Sequence, residues 1–297
     1  MSIKKTYLLL FILLSQMAYS QDGIPVYSDY FSDNLYLLHP SMAGAASYNQ
    51  IRLTARNQWV DQNEAPNLQT LAFNARVGER SGIGGIFFND RNGYHSQTGG
   101  YVTYAHHIMF SRNDYVDLNQ LSFGLSFGLI QSRLDETQFD PTDFDPIIAG
   151  IIQSTSYFNV DAGVSYNFLN FSGHFTVKNL IFQNRSIYSS DYESTNQRKY
   201  IISGAYAIGD FGATWIYEPS FMFQIQERTG EQSIDINGKV YRAMEFGQLW
   251  GGISYRNSFD GAEYLNGVDV ANQKLQYLTP VIGINVNKFV FAYTYTQ

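Results

Sequence analysis

The chain has 297 residues, of which 16% are aromatic and only 15% are charged, whereas soluble proteins carry about a quarter charged residues. Its net charge of −7 becomes −9 when the two lysines of residues 1–20 are left out, and this excludes general nucleic-acid binding, which needs a basic surface. The chain has no Cys, which excludes a disulfide framework. Many aromatic and few charged residues are typical of a transmembrane barrel, whose surface is half lipid-facing and half wet.

The first residues form a secretory signal. Lys4 and Lys5 precede the apolar run 7–14, and residues 18–20 read Ala-Tyr-Ser. This order predicts a signal peptide over residues 1–20 with cleavage after Ser20, because the apolar run is too short to span a bilayer. An uncleaved anchor is the alternative. We expect the irregular, aromatic-rich segment 21–48 to plug a barrel or to pack on its periplasmic mouth.

The remainder, residues 49–297, reads as one domain of strands. Side chains in a strand point alternately to opposite faces, so alternation of apolar and polar residues is the test. Residues 51–58, 121–129, 158–168 and 171–178 pass it, and each is near the length that a tilted strand needs to cross a bilayer. Weaker alternation marks 68–77, 83–90, 100–109, 199–208, 213–226, 232–241, 248–256, 279–286 and 288–296. We therefore expect about thirteen strands.

The connections between these strands differ in length. Short turns are predicted at Asn170, at 209–210 and at 287–288, and longer loops at 131–157, 182–198 and 257–275. Bacterial single-chain barrels have even strand numbers, so the fold expected is all-β, a transmembrane antiparallel barrel of about 14 strands. Its last strand is expected to lie beyond the end of this chain. A soluble β-sandwich, in which apolar faces pack against each other, is the alternative.

Polar side chains on the inferred inner faces are the candidate partner-binding groups. Arginine binds carboxylates with two parallel hydrogen bonds, so these faces could receive an acidic or carboxylate-bearing segment. Charge pairing within the lumen explains the same residues equally well, and both interpretations stay open. The candidate residues are Arg52, Arg56, Gln58, Arg76, Asn159 and Asp161.

Few residues suggest a metal site. Asp140, Asp143 and Asp145 share one loop, and calcium binds oxygen-rich loops, although an ordinary acidic loop is the simpler interpretation. His106 and His107 are adjacent on a strand and must face opposite sides, so they cannot bind one ion together. We expect His39, His95 and His174 to be polar wall residues as well, and we expect no cofactor.

The sequence offers no catalytic group with its partners. Ser172 and His174 share a strand face and could meet, but no residue marks an oxyanion site, which a nucleophile needs. The glycines at 82, 84 and 85 are not a phosphate loop, since no Lys-Ser/Thr follows, and glycine in a strand permits bends. The chain is therefore not expected to be an enzyme.

Particular motifs resemble the PorP/SprF family of the Bacteroidetes type IX secretion system. The resemblance covers nearly the whole chain after the signal peptide, and its most specific part lies at the start. The turn 39–42 reads His-Pro-Ser-Met, where the family usually reads closer to Asn-Pro-Ala-Tyr. The motifs are Pro40, Ala43-Gly44, Arg56-Asn57-Gln58-Trp59, Ala65-Pro66, Phe88-Asn89-Asp90, Gly251-Gly252-Ile253-Ser254-Tyr255-Arg256 and Phe291-Ala292-Tyr293-Thr294-Tyr295.

The resemblance implies an outer-membrane protein of the secretion and gliding machinery. It implies that the barrel binds and anchors the C-terminal domain of a secreted surface adhesin. Two alternatives remain: an outer-membrane channel for solutes, with segment 21–48 as its hatch, and a structural link to the secretion motor through periplasmic lipoproteins. Retention of an adhesin would rest on non-covalent contacts.

Overall fold

The computed structural model describes residues 34–46, 48–58, 65–111, 118–138, 150–181, 197–209, 212–266 and 269–296. The predicted signal peptide lies outside this part of the chain. The proposed calcium ligands Asp140, Asp143 and Asp145 also lie outside it. The expectation of calcium therefore stays untested.

Thirteen strands make up most of the described chain, and they form one antiparallel sheet in sequence order. The prediction of an all-β antiparallel fold is confirmed, and every predicted strand has a counterpart. The strands are β1 Gln50–Asn57, β2 Asn67–Val77, β3 Ser81–Asn92, β4 His95–Met109, β5 Asn119–Asp135, β6 Ile152–Phe168, β7 Phe171–Lys178, β8 Lys199–Tyr206, β9 Trp215–Gln226, β10 Gln232–Met244, β11 Gly247–Asn266, β12 Asp269–Val286 and β13 Phe289–Thr294.

The loop predicted at 257–275 is wrong. β11 continues to Asn266 and β12 begins at Asp269, and the two strands pair as far as these residues, with one irregularity after Asn257. Residues 266 and 267 read Asn-Gly, the strongest short-range signal for a hairpin. Apolar and polar residues alternate weakly in this stretch of the sequence, and this concealed the strands.

The two faces of the sheet are inverted relative to a soluble protein. In β5, Phe123, Phe127 and Leu129 are exposed, whereas Ser122 and Ser126 are buried. β1 shows the same order, since Leu53 is 79% exposed and its polar neighbours are half-buried. Here the face with polar side chains is called the inner face and the apolar one the outer face. In a membrane barrel the outer face meets lipid.

The sheet remains open within the described residues. β1 pairs with β2 and β13 pairs with β12, and no pairing joins β1 to β13 in this part of the chain. Closure and a total of about fourteen strands are therefore not shown. One end of the sheet carries the start of β1 and the tight turns 78–80, 169–170, 245–246 and 287–288. This end is called the near end and the opposite one the far end.

Residues 34–46, called here the inserted segment, lie against the inner face. They contain a one-turn helix, α1 (Leu35–Leu38), and a 3₁₀ turn, η1 (Pro40–Met42). A second 3₁₀ turn, η2 (Glu136–Gln138), follows β5. No helix in the described ranges is both long and apolar enough to cross a membrane.

Candidate functional site

The inserted segment lies so close to the inner face of the sheet, called here the wall, that several wall positions have no room for a Cβ atom and must be glycine. A Cβ on Gly82 would lie 1.9 Å from the carbonyl oxygen of Ala43, and one on Gly124 would lie 2.2 Å from the carbonyl carbon of Pro40. A Cβ on Gly84 would meet the Tyr36 hydroxyl at 2.4 Å. These inner glycines give room to the segment, a purpose that the sequence analysis, which assigned 82–85 to strand bending, did not identify.

Three consecutive carbonyl groups at the end of the segment are bound by the wall. Arg76 Nε donates to Gly44 O at 3.0 Å, and its Nη2 donates to Ala45 O at 3.0 Å. His107 Nε2 lies 3.0 Å from Ala43 O. Because a buried carbonyl without a hydrogen bond costs about 1–3 kcal/mol, Arg76 and His107 fix the position of this end of the segment.

The middle of the segment contacts the wall through His39 and Ser41, both fully buried. His39 Nδ1 lies 2.9 Å from Thr176 Oγ1, and its Nε2 lies 2.8 Å from Ser203 Oγ. Ser41 Oγ lies 2.6 Å from Ser165 Oγ. Burial and the nearby charges of His174 and Lys178 hold the pKa of His39 well below its usual value, so the ring is neutral at pH 7.

The first turn of the segment adds apolar contacts. Tyr36 packs into the larger buried apolar cluster of the inner face and donates its hydroxyl to Thr103 at 2.8 Å. Burial raises the pKa of this phenol to about 12. Leu38 packs against Ile201 and Met222. The segment thus spans the inner face from β2 to β9.

Asn159 and Asp161, two of the predicted partner-binding residues, contact Lys178 and Asn179 at the end of β7, called here the loop base. Asp161 accepts a hydrogen bond from Asn179 N at 2.9 Å and lies 3.6 Å from Lys178 Nζ. Asn159 donates to Tyr101 at 3.1 Å and to the Asn179 side chain. Lys178 also donates to Leu37 O at 3.1 Å, so this network joins the loop base to the inserted segment.

The remaining predicted residues lie apart from this network. Arg52, Arg56 and Gln58 are half-exposed along the inner side of β1. Arg56 pairs with Leu68 of β2, and Leu68 pairs in turn with Asp90 of β3. Of the six candidates, the structure therefore brings Arg76, Asn159 and Asp161 to the inserted segment and its network and leaves the β1 residues along an edge strand.

A second polar cluster on the inner face was not identified from the sequence. Arg256 donates to both carboxylate oxygens of Asp235, at 2.7 and 3.1 Å. Lys239 Nζ lies 4.8 Å above the Trp250 ring, whose Nε1 donates to Asn285. The sequence predicted these strands without assigning a face to these side chains, and only pairing across β10, β11 and β12 brings them together.

His107 and His174 form hydrogen bonds within the inner face. No group of three His, Cys, Asp or Glu side chains that could hold a metal occurs among the described residues. His107 is buried and His106 is exposed, as their opposite orientations require. His174 Nδ1 lies 2.7 Å from Ser165 Oγ. The ring therefore contacts Ser165, whereas the sequence suggested a contact with Ser172.

Comparison with known families agrees with this architecture. Residues 19–297 match the family described as Type IX secretion system membrane protein PorP/SprF. The family match identifies a membrane protein of the type IX secretion system, and the all-β fold is consistent with it. The chain belongs to the PorP/SprF family, as its motifs indicated. No curated protein matches it.

Proposed function

We propose that this chain is an outer-membrane barrel that binds and anchors the C-terminal domain of a secreted surface adhesin. The observation that supports this proposal most is the inverted sheet, with an apolar outer face and a hydrogen-bonding inner face. An apolar outer face suits lipid, and a closed sheet is the form in which strands cross a membrane. Within the described residues β1 and β13 are the two edges of the sheet, and their closure into a barrel is part of this proposal.

Partner binding is assigned to the inner side of β1. Arg52 and Arg56 lie on the same strand face, about 13 Å apart at 3.3 Å per residue. Both side chains are half-exposed, so they keep access to water and to a partner. Two guanidinium groups at this spacing suit an extended segment whose carboxylates lie four residues apart on one face. Arg76 is engaged with the inserted segment.

A solute channel is less well supported. The inserted segment fills part of the inner face with backbone that contacts the wall glycines directly. Its hydrogen bonds to β2, β4, β6, β7 and β8 hold it across the inner face at neutral pH. A link to periplasmic lipoproteins of the secretion motor remains compatible with anchoring, because it would use the near end rather than the inner face.

Affinity purification from native membranes tests the anchoring role. The tagged wild-type chain is expected to retain a large surface protein of the type IX class, identified by mass spectrometry. The variant Arg52→Gln/Arg56→Gln is expected to retain at least fivefold less, about 1 kcal/mol of binding. The control Arg80→Gln/Lys288→Gln, with both changes at near-end turns, should bind normally. Recovery of periplasmic lipoproteins alone would contradict the proposal.

A further inference from the structure

Three of the chain's five histidines lie in the contact between the inserted segment and the wall. His39 belongs to the segment, His107 to β4 and His174 to β7, and all three are buried. The other two, His95 and His106, make no contact with the segment that the structure records. Histidine is the side chain that changes charge between about pH 5 and 8, so this concentration has a consequence for the segment.

The surroundings of His107 require its neutral form. Ala43 O can only accept, so Nε2 carries the proton. Arg76 donates to Gln120 Oε1, and this fixes the amide so that Gln120 Nε2 faces His107 Nδ1 at 3.1 Å. Ser122 Oγ lies 2.8 Å from Nδ1 and accepts a hydrogen bond from Gln120 Nε2. A second proton on Nδ1 would compete with that Gln120 donor for the Ser122 oxygen and would add a positive charge near Arg76. No carboxylate contacts the ring in the described structure.

His39 and His174 form the second pair. Their rings stack with centroids 4.9 Å apart, and His174 Nε2 is buried with no hydrogen-bond partner among the described residues. The charged groups nearest to the pair are Lys178 and Asp161, which lie 3.6 Å from each other. Since Asp161 is already engaged by Lys178 and by Asn179 N, protonation of the stacked rings would add positive charge beside Lys178.

We propose that residues 34–46 form an acid-released plug, which leaves the inner face when His39, His107 and His174 take up protons. The contacts of the seated segment favour the uncharged form of each ring, and departure of the segment opens the rings to water, where an imidazole takes up a proton near pH 6.5. The seated state is therefore favoured above about pH 6.5 and loses stability as the pH falls. The released fraction should rise by up to about tenfold per histidine for each pH unit below that value.

Thiol labelling measures this release directly, because the chain has no cysteine of its own. In the purified full chain, Ser41→Cys places a thiol on a fully buried position of the segment. Thiol reactivity itself depends on pH, so the rate is divided by that of Asn49→Cys, an exposed position outside the segment. The ratio should rise at least tenfold from about pH 7.5 to about pH 5.

Further variants distinguish the contributions of the histidines. In the background His39→Gln/His107→Gln/His174→Gln the ratio should stay constant with pH, and His106→Gln should leave the rise intact. If the triple variant does not fold, each single variant should lower the slope of the ratio by about one proton. A constant ratio in the wild-type background, or a rise that survives the triple change, would overturn the proposal. No partner is present, so the anchoring role is tested separately.

Discussion

At the scale of single residues, the inner glycines decide whether the inserted segment fits. Gly124→Ala would put a methyl group 2.2 Å from the backbone of Pro40 and Ser41. Overpacking of this kind costs about 1–3 kcal/mol, so we expect a lower midpoint of urea unfolding in detergent. Gly238→Ala is the matched control, because its Cβ would meet nothing within 4 Å. Equal midpoints for the two variants would show that the close approach is not maintained.

The ion pair of Asp161 and Lys178 gives a second residue-scale prediction. Both side chains are nearly buried, and removing one partner of a buried pair leaves an uncompensated charge. Asp161→Asn should therefore lower the free energy of unfolding by about 3 kcal/mol, and adding Lys178→Met should restore part of it. Asp135→Asn, which removes the partner of the exposed Arg133, should have a much smaller effect. The idea fails if both single variants unfold alike.

At the scale of elements, the sequence predicted the strands but not the segment that packs against their inner face. Alternation with period two is local, so it placed the outward residues of β5 and β6 correctly. The contact of His39 with Thr176 and Ser203 joins residues more than 130 positions apart, and no pattern along the chain records such a distance. His39 was expected to be a polar residue of the sheet, but it lies in the inserted segment. Ser41 was noted only as a departure from the usual turn of the family. Both make buried contacts with the inner face.

The glycines show the same limit for an element. Gly82 and Gly84 were correctly placed in a strand, and their lack of a side chain suggested bending. Only the path of the inserted segment shows that they provide space. An inner-face glycine could have been identified from alternation, since Gly82 and Gly84 share a face with Ile86 and Phe88. Which element fills that space cannot be read from β3.

Segment release also belongs to the scale of elements. The segment forms hydrogen bonds with five strands, and the only cationic side chains named among these bonds are Arg76 and Lys178. Its seat should therefore be tight at neutral pH and weak in acid, while the sheet, held by backbone hydrogen bonds, should keep its strand content. Far-ultraviolet circular dichroism should stay unchanged over the pH range in which the labelling of Ser41→Cys rises. Loss of strand signal over the same range would indicate unfolding instead.

At the scale of the whole molecule, the account rests on which face meets lipid. Exposed Phe, Leu, Ile and Tyr side chains cover the outer face on strand after strand, and a soluble protein does not expose so large a contiguous apolar surface. The inner face holds buried polar groups paired with one another and with the segment. The composition indicated this division, while the open edges of β1 and β13 leave barrel closure as a proposal.

The most direct test is fluorescence quenching in vesicles whose acyl chains carry bromine. Single cysteines carrying a fluorescent label would be placed at Leu53 and Tyr217 on the outer face and at Thr54 and Glu218, their neighbours on the inner face. Strong quenching at Leu53 and Tyr217, with little at Thr54 and Glu218, is the predicted result. Equal quenching within each pair, or a folded chain that stays in water without lipid or detergent, would contradict the account.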